Sequence, residues 1–224
     1  LFKSDEEAAA YEKQYGNPWS LPFKGGDFRI KDADGDGKLT DKDRVVKGTQ
    51  QPKTTFGLTL SAGWKNFDLS VFMQGVTGTN RYFSRDVVGS FIGYTSHPST
   101  NWLDAWTPEN TNTDIPRNGF YYSQYGGYVN DHFIEDASFL RLKNLTLGYT
   151  IPFKKIVSSC RVYFSAENLF TITGYSGWDP EVDTKANEAA QSGGSQQTAN
   201  AGAGMDFNAY PAMRTYTVGL NITF

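Results

Sequence analysis

The chain is poor in the residues that usually staple a small secreted domain or build a metalloenzyme. It has a single cysteine, Cys160, so no intrachain disulfide can form. Its two histidines, His97 and His132, stand in no HExxH, Cys-paired or Ser-acid context, which removes the familiar zinc and triad arrangements. No run approaches the ~18 apolar residues of a membrane-crossing helix. That excludes a helical span and leaves a membrane β-barrel open, because barrel strands alternate apolar with polar residues and average out as hydrophilic. Twenty-one Lys and Arg against 24 Asp and Glu give a net charge of -3 without a basic cluster, so nucleic acid is not an expected partner. No nucleophile, acid pair or metal-water site emerges, and enzyme activity is not expected. The opening Leu1-Phe2-Lys3-Ser4 lacks an initiator Met and the apolar core of a signal peptide, and reads as the start of a mature or internal piece.

Aromatic residues, by contrast, reach 15%, and they come with 23 glycines, a mixture that favours strands and turns over a helical bundle. Residues 1–53 are polar and turn-rich, and a short helix is expected from Ser4 to about Tyr15, with Ser4 as N-cap and Glu7 at the capping-box position. From Thr54 the period changes to two. Phe56, Leu58, Leu60, Ala62 and Trp64 share one face, and Thr55, Gly57, Thr59, Ser61 and Gly63 the other. A two-residue turn, Lys65-Asn66, places Trp64 opposite Phe67, and Phe67, Leu69, Val71 and Met73 continue the apolar face. Alternation returns at Leu145, Leu147 and Tyr149. Leu140 and Leu142 are one residue out of phase with that set, which predicts a bulge near Lys143. Further strands are expected at about Cys160–Phe170 and from Thr215 to Phe224. The expected division is 1–53 as a loop region and 54–224 as five strands with two long connections, 79–136 and 171–212.

Alternation alone fits a soluble sandwich or a lipid-facing barrel. Strands as long as Thr54–Trp64 match the ~9–11 residues that cross a bilayer at a tilt. Short and long connections alternate, as in outer-membrane barrels. Aromatics cluster at strand ends, at Trp64, Phe67, Tyr149, Tyr216 and Phe224, where an interfacial girdle would place them. Five strands cannot close such a barrel, since the smallest have about eight. The expected fold is therefore all-β: the C-terminal strands of a large antiparallel transmembrane β-barrel with long extracellular loops. The alternative is a secreted, calcium-stabilised β-sandwich that binds carbohydrate.

The residues Gly26-Asp27-Phe28-Arg29-Ile30-Lys31-Asp32, Asp34-Gly35-Asp36-Gly37, Phe67 to Gly75, Trp106-Thr107-Pro108-Glu109-Asn110, Ala137 to Asn144, Glu167-Asn168-Leu169-Phe170 and the terminal Phe224 occur in an order that resembles the late barrel of SusC/RagA-like TonB-dependent outer-membrane transporters. The resemblance implies a 22-stranded barrel in the cell outer membrane, surrounded by lipid, that imports a glycan or peptide beneath a SusD-like surface lipoprotein. It also implies coupling to the TonB complex through an N-terminal portion that this sequence does not contain.

Three sets of residues are candidate sites. Asp32, Asp34, Asp36, Lys38 through its carbonyl, and Asp43 fall at positions 1, 3, 5, 7 and 12 of an EF-hand-type loop with Gly37 at position 6, which predicts a Ca²⁺ site that rigidifies a loop. Trp102, Trp106, Tyr121, Tyr122 and Tyr125 crowd the first long connection and suit substrate or partner contact, or packing of the loop on itself. Tyr216, Gly219, Ile222 and Phe224 form the alternating end that looks like a barrel-assembly signal. Arg141, Lys143, Arg161 and Glu167 are expected on the polar face as an ion-pair network.

Overall fold

The computed structural model describes residues 1–18, 21–83, 100–118, 131–153, 158–181, 205–206 and 211–224. Its regular structure is mostly antiparallel strand, with one short α-helix, α1 (Asp5–Tyr15). The strands are β1 (Thr54–Trp64), β2 (Phe67–Thr77), β3 (Asn80–Phe83), β4 (Ile134–Asp136), β5 (Phe139–Pro152), β6 (Ser159–Thr173), β7 (Met205–Asp206) and β8 (Thr215–Thr223). Five of them form one open sheet in the order β1-β2-β5-β6-β8, and β4-β3-β7 form a small second sheet within the connections expected to be irregular.

The chain divides into two compact units that interleave in sequence, one of residues 1–47 with 83–134 and one of residues 48–82 with 135–224. The sequence suggested a single cut after residue 53. The first unit is more than a loop, because it has its own small core of Phe2, Ala8, Tyr11, Phe23 and Leu39. Helix α1 starts where expected, with the Ser4 hydroxyl accepting from the Glu7 amide at 3.2 Å, while the Glu7 carboxylate accepts from the Lys3 amide at 2.6 Å. Gly16, at φ 76°, ends it.

The first hairpin of the five-stranded sheet in the second unit has the predicted register. Trp64 pairs with Phe67 across the two-residue turn, where Lys65 takes φ 54°, the positive value that primed hairpin turns need at their first central position. Lys143 is the extra residue on β5: Phe72 pairs with Asn144 and Met73 with Leu142, so the strand bulges between them. On β6 the same irregularity takes up Asn168 and Leu169, and Asn168 adopts φ 50°. Asparagine tolerates that left-handed conformation better than most residues, and here its amide also donates to the Met213 carbonyl at 3.1 Å.

The bulge keeps every apolar row on one face. Trp64, Phe67, Tyr149, Val162 and Leu220 lie side by side across the five strands, as do Ala62, Leu69, Leu147, Phe164 and Val218, and then Leu60, Val71, Leu145, Ala166 and Tyr216. Leu58, Met73, Leu142 and Phe170 form a fourth row, which Leu142 joins because the bulge takes Lys143 out of the alternation. Nothing among the described residues covers the outer parts of this face: Leu60 is 55% exposed, Leu147 47% and Val218 75%. The sandwich alternative required these side chains to be sealed against a second sheet, and they are open.

Candidate functional site

The opposite face of the large sheet is polar and small. Ser61, Ser70, Thr146, Ser165 and Thr217 form one unbroken row of hydroxyls across all five strands. Thr146 and Ser165 share a hydrogen bond of 3.1 Å, and Asn144 donates to Ser165 and accepts from Thr146. Next to this row Arg161 reaches diagonally from β6 to β2 and holds Asp68 through two hydrogen bonds, 2.9 and 2.5 Å. The pair passes directly over Gly148 of β5, where a Cβ would stand 2.4 Å from Asp68 Oδ1 and 2.5 Å from an Arg161 terminal nitrogen. Only glycine leaves room for a bidentate bridge across the intervening strand.

Toward the other end, the guanidinium of Arg141 is 3% exposed and gathers three partners: Thr171 at 2.8 Å, Glu181 at 2.9 Å and Asp179. Lys143, the bulge residue, meets the same Glu181 at 2.6 Å. Asp179 also accepts from the amides of Glu181 and Ala212, each at 2.9 Å, and so ties the two ends of the connection between β6 and β8 to the wall. Burial pushes the Asp179 carboxyl up, yet the Arg141 guanidinium and the two amides outweigh it and hold the group below the ordinary aspartate value. An ion-pair network was expected here, but with Glu167 as its acid; Glu167 is exposed, and the acids come from Asp179 and Glu181. They lie in a segment without strand periodicity, so no sequence pattern pairs them with β5.

In the first unit, the carboxylates of Asp32, Asp34 and Asp36 converge to within 4.8 Å of one another. Gly35 and Gly37, at φ 75° and 81°, make the turn. Leu39, at the apolar position of the loop, is buried, and its amide donates to the Tyr15 carbonyl at 3.0 Å, which fastens the loop to the end of α1. Asp43 does not join the cluster. One of its oxygens accepts from the Ala33 amide at 2.7 Å and the other from the Thr40 amide at 2.7 Å, closing a capping box around Thr40. Those amides, Thr40 first and then Ala33, hold the Asp43 carboxyl below its ordinary value. Lys38 donates its amide to Asp36 at 2.8 Å. Positions 1, 3 and 5 therefore fit a hard cation, while position 12 serves the backbone.

Of the candidate aromatics, Trp106 lies flat against Gly25 and Gly26, close enough that a Cβ on either would meet its ring at 2.6 to 2.7 Å. Beside it, Arg117 clamps the fully buried Asp27, with the closer contact at 2.7 Å. Trp102 sits in a 3-10 turn, Thr100–Asp104. Tyr121, Tyr122 and Tyr125 lie outside the described residues. On β8, Tyr216 and Ile222 are exposed and share the apolar face, while Gly219 lies beneath the Tyr163 ring on the polar face; Phe224, one residue past the strand, is exposed.

An open antiparallel sheet, apolar on one whole face and hydroxyl-lined on the other, is a section of β-barrel wall. Relatives and solved structures agree. The chain is 32% identical to TonB-dependent receptor P3 of Formosa agariphila over 97% of its own length and 22% of that receptor. It is 30% identical to TonB-dependent receptor SusC of Bacteroides thetaiotaomicron over 86% of its length and 17% of SusC. Its fold matches the RagAB peptide transporter with a TM-score of 0.62 and 29% identity, over 80% of this chain and 18% of that one. No family model matches. The chain belongs with the SusC/RagA-like TonB-dependent receptors, and it spans about a fifth of the length of the curated relatives it matches.

Proposed function

We propose that this chain supplies five wall strands of an outer-membrane, TonB-dependent importer of an oligomeric nutrient. The observation that carries the reading is the unbroken set of apolar rows on an uncovered face. Fully burying a Leu, Val, Ile or Phe is worth about 1.5–3 kcal/mol. Leu58, Leu60, Leu69, Leu147, Phe164, Val218, Leu220 and Ile222 are each 38–75% exposed. In water they would together forgo on the order of 10 kcal/mol, as much as a whole domain's stability of about 5–15 kcal/mol. Lipid removes that deficit. The outer edges of β1 and β8 have no strand beside them within the described sheet. In hydrocarbon such edges cost several kcal/mol per unpaired group, so both must continue into the rest of the barrel.

A glycan or a peptide fits the hydroxyl-lined inner face, and the likeness to the RagAB peptide transporter supports cargo of that kind. A SusD-like surface lipoprotein and the TonB complex are the partners of this reading, the latter reached through parts of the receptor outside these residues. The role proposed for the chain is structural and conductive, with no catalytic step. Its test is thiol labelling of the full-length receptor in intact outer membranes, with Cys160 first replaced by Ser. A cysteine at Leu60 or Val218 is expected to react with a membrane-partitioning maleimide and resist a charged one. A cysteine at Ser61 or Thr217 is expected to do the reverse, and equal labelling of both faces by the charged reagent would overturn the reading.

For the acidic loop we propose a Ca²⁺ held by Asp32, Asp34, Asp36 and the Lys38 carbonyl, which stiffens the segment fastened at Leu39. With only three carboxylates, weak binding is expected. Calorimetric titration of the receptor with CaCl₂ should show a site that Asp34→Asn weakens at least tenfold; an unchanged isotherm would assign the heat elsewhere.

A further inference from the structure

Beside the end of α1 lies a cleft of about 430 Å³ walled by Tyr11, Tyr15, Arg29, Ile30, Lys31 and Asp32. We propose that it binds an anionic sugar residue, a single ring carrying a carboxylate or sulfate. The site stands on residues of the first unit alone and needs neither the lipid-facing sheet nor the import reading.

The cleft has two halves. One is aromatic and fixed. The Tyr11 hydroxyl donates to the Ile30 carbonyl at 2.5 Å, which uses up its polar end and pins its ring, and the Tyr15 ring packs against it with centroids 4.5 Å apart. Tyr11 itself is 8% exposed, so the apolar corner open to a ligand is that of the half-buried Tyr15 and Ile30. The other half is cationic and incompletely neutralised. Arg29 lies over the Tyr11 ring at 4.9 Å, and its ion pair with Glu7 is long, 3.9 Å, between two exposed side chains. Such a pair is worth little and is readily exchanged for a better acceptor. Lys31 makes no ion pair among the described residues. Asp32 is the one acid in the wall, but both its oxygens accept turn amides, from Gly35 at 2.7 Å and Gly37 at 2.9 Å, so its acceptors point into the acidic loop.

Two cations facing a cleft call for an anion, and a guanidinium prefers a group with two oxygens that it can grip with two N–H groups. Charge alone would suit any carboxylate. The fixed aromatic corner adds a demand for a flat face of C–H groups, and the volume, at the low end of ligand sites, holds about one ring with its substituents. A sugar acid meets both demands at once, whereas an acidic peptide would engage the cations and leave the corner empty.

The test uses the full-length receptor in detergent, with methyl β-D-glucuronide as probe, methyl β-D-glucoside as its neutral counterpart and triglutamate as the peptide competitor. Saturation-transfer NMR is expected to show the glucuronide ring protons in contact with protein and binding at least tenfold tighter than the glucoside. The double substitution Arg29→Gln with Lys31→Gln should weaken the glucuronide at least tenfold; both side chains are exposed, so the core around Phe2 and Ala8 is undisturbed. Tyr15→Leu should keep the charge dependence and lose the ring-proton saturation. Equal binding of the two glycosides, indifference to the double substitution, no glucuronide binding at millimolar concentration, or tighter binding of triglutamate would each overturn the proposal.

Discussion

At Gly148, Asp68 and Arg161 exclude any side chain, and the consequence is measurable at a single residue. Gly148→Ala would bring a Cβ within 2.6 Å of three of the pair's atoms, so the guanidinium must move off the carboxylate. Both partners are partly exposed, at 28% and 43%, which limits the pair to about 0.2–1 kcal/mol. Asp68→Asn should therefore lower the thermal midpoint of the full-length receptor slightly, and Gly148→Ala by more, because it adds a backbone-borne clash to the same loss. If Gly148→Ala proves no worse than Asp68→Asn, the glycine is not there to pass the bridge. Alternation in the sequence placed Arg161 and Asp68 on the polar face, but their pairing skips a strand, and no local pattern carries that information. The acidic loop was more legible, because its ligands sit at fixed spacings within one turn. Asp43, read as the twelfth-position ligand, stands outside the three carboxylates that converge.

For single strands, β5 shows how one inserted residue governs a whole face. Leu140 and Leu142 fall in the wrong phase for Leu145 and Leu147, and the sequence alone announces the bulge through that mismatch. Deleting Lys143 would remove the extra residue and leave Leu140, Leu142, Leu145 and Leu147 in strict alternation on the apolar face, while also removing a partner of Glu181. Both the deletion and Lys143→Ala are therefore expected to assemble, read as the heat-modifiable folded band on unboiled gels. Loss of that band in the deletion alone would mean that the barrel needs the bulge itself and not only the phase of its leucines. The compensating irregularity on β6 was not anticipated. Its marker is Asn168 at positive φ, and asparagine in a strand signals that conformation only weakly.

For the molecule as a whole, the uncovered apolar face leads to a simple expectation about its source. The full-length receptor should leave the outer-membrane fraction with detergent and stay behind in salt or alkaline buffer, and release by buffer alone would contradict a membrane-embedded wall. The sequence by itself determined the five strands of the large sheet, the register of their first hairpin, the bulge and the two chemical faces. Each follows from a period-two pattern that neighbouring residues carry along one strand. Only the tertiary structure decided that the apolar face stays uncovered, that Arg141 collects Asp179 and Glu181, and that residues 83–134 join 1–47 in a unit with its own core. Those facts depend on contacts between residues tens of positions apart, whose side chains have no period to betray them and meet only once the chain has folded.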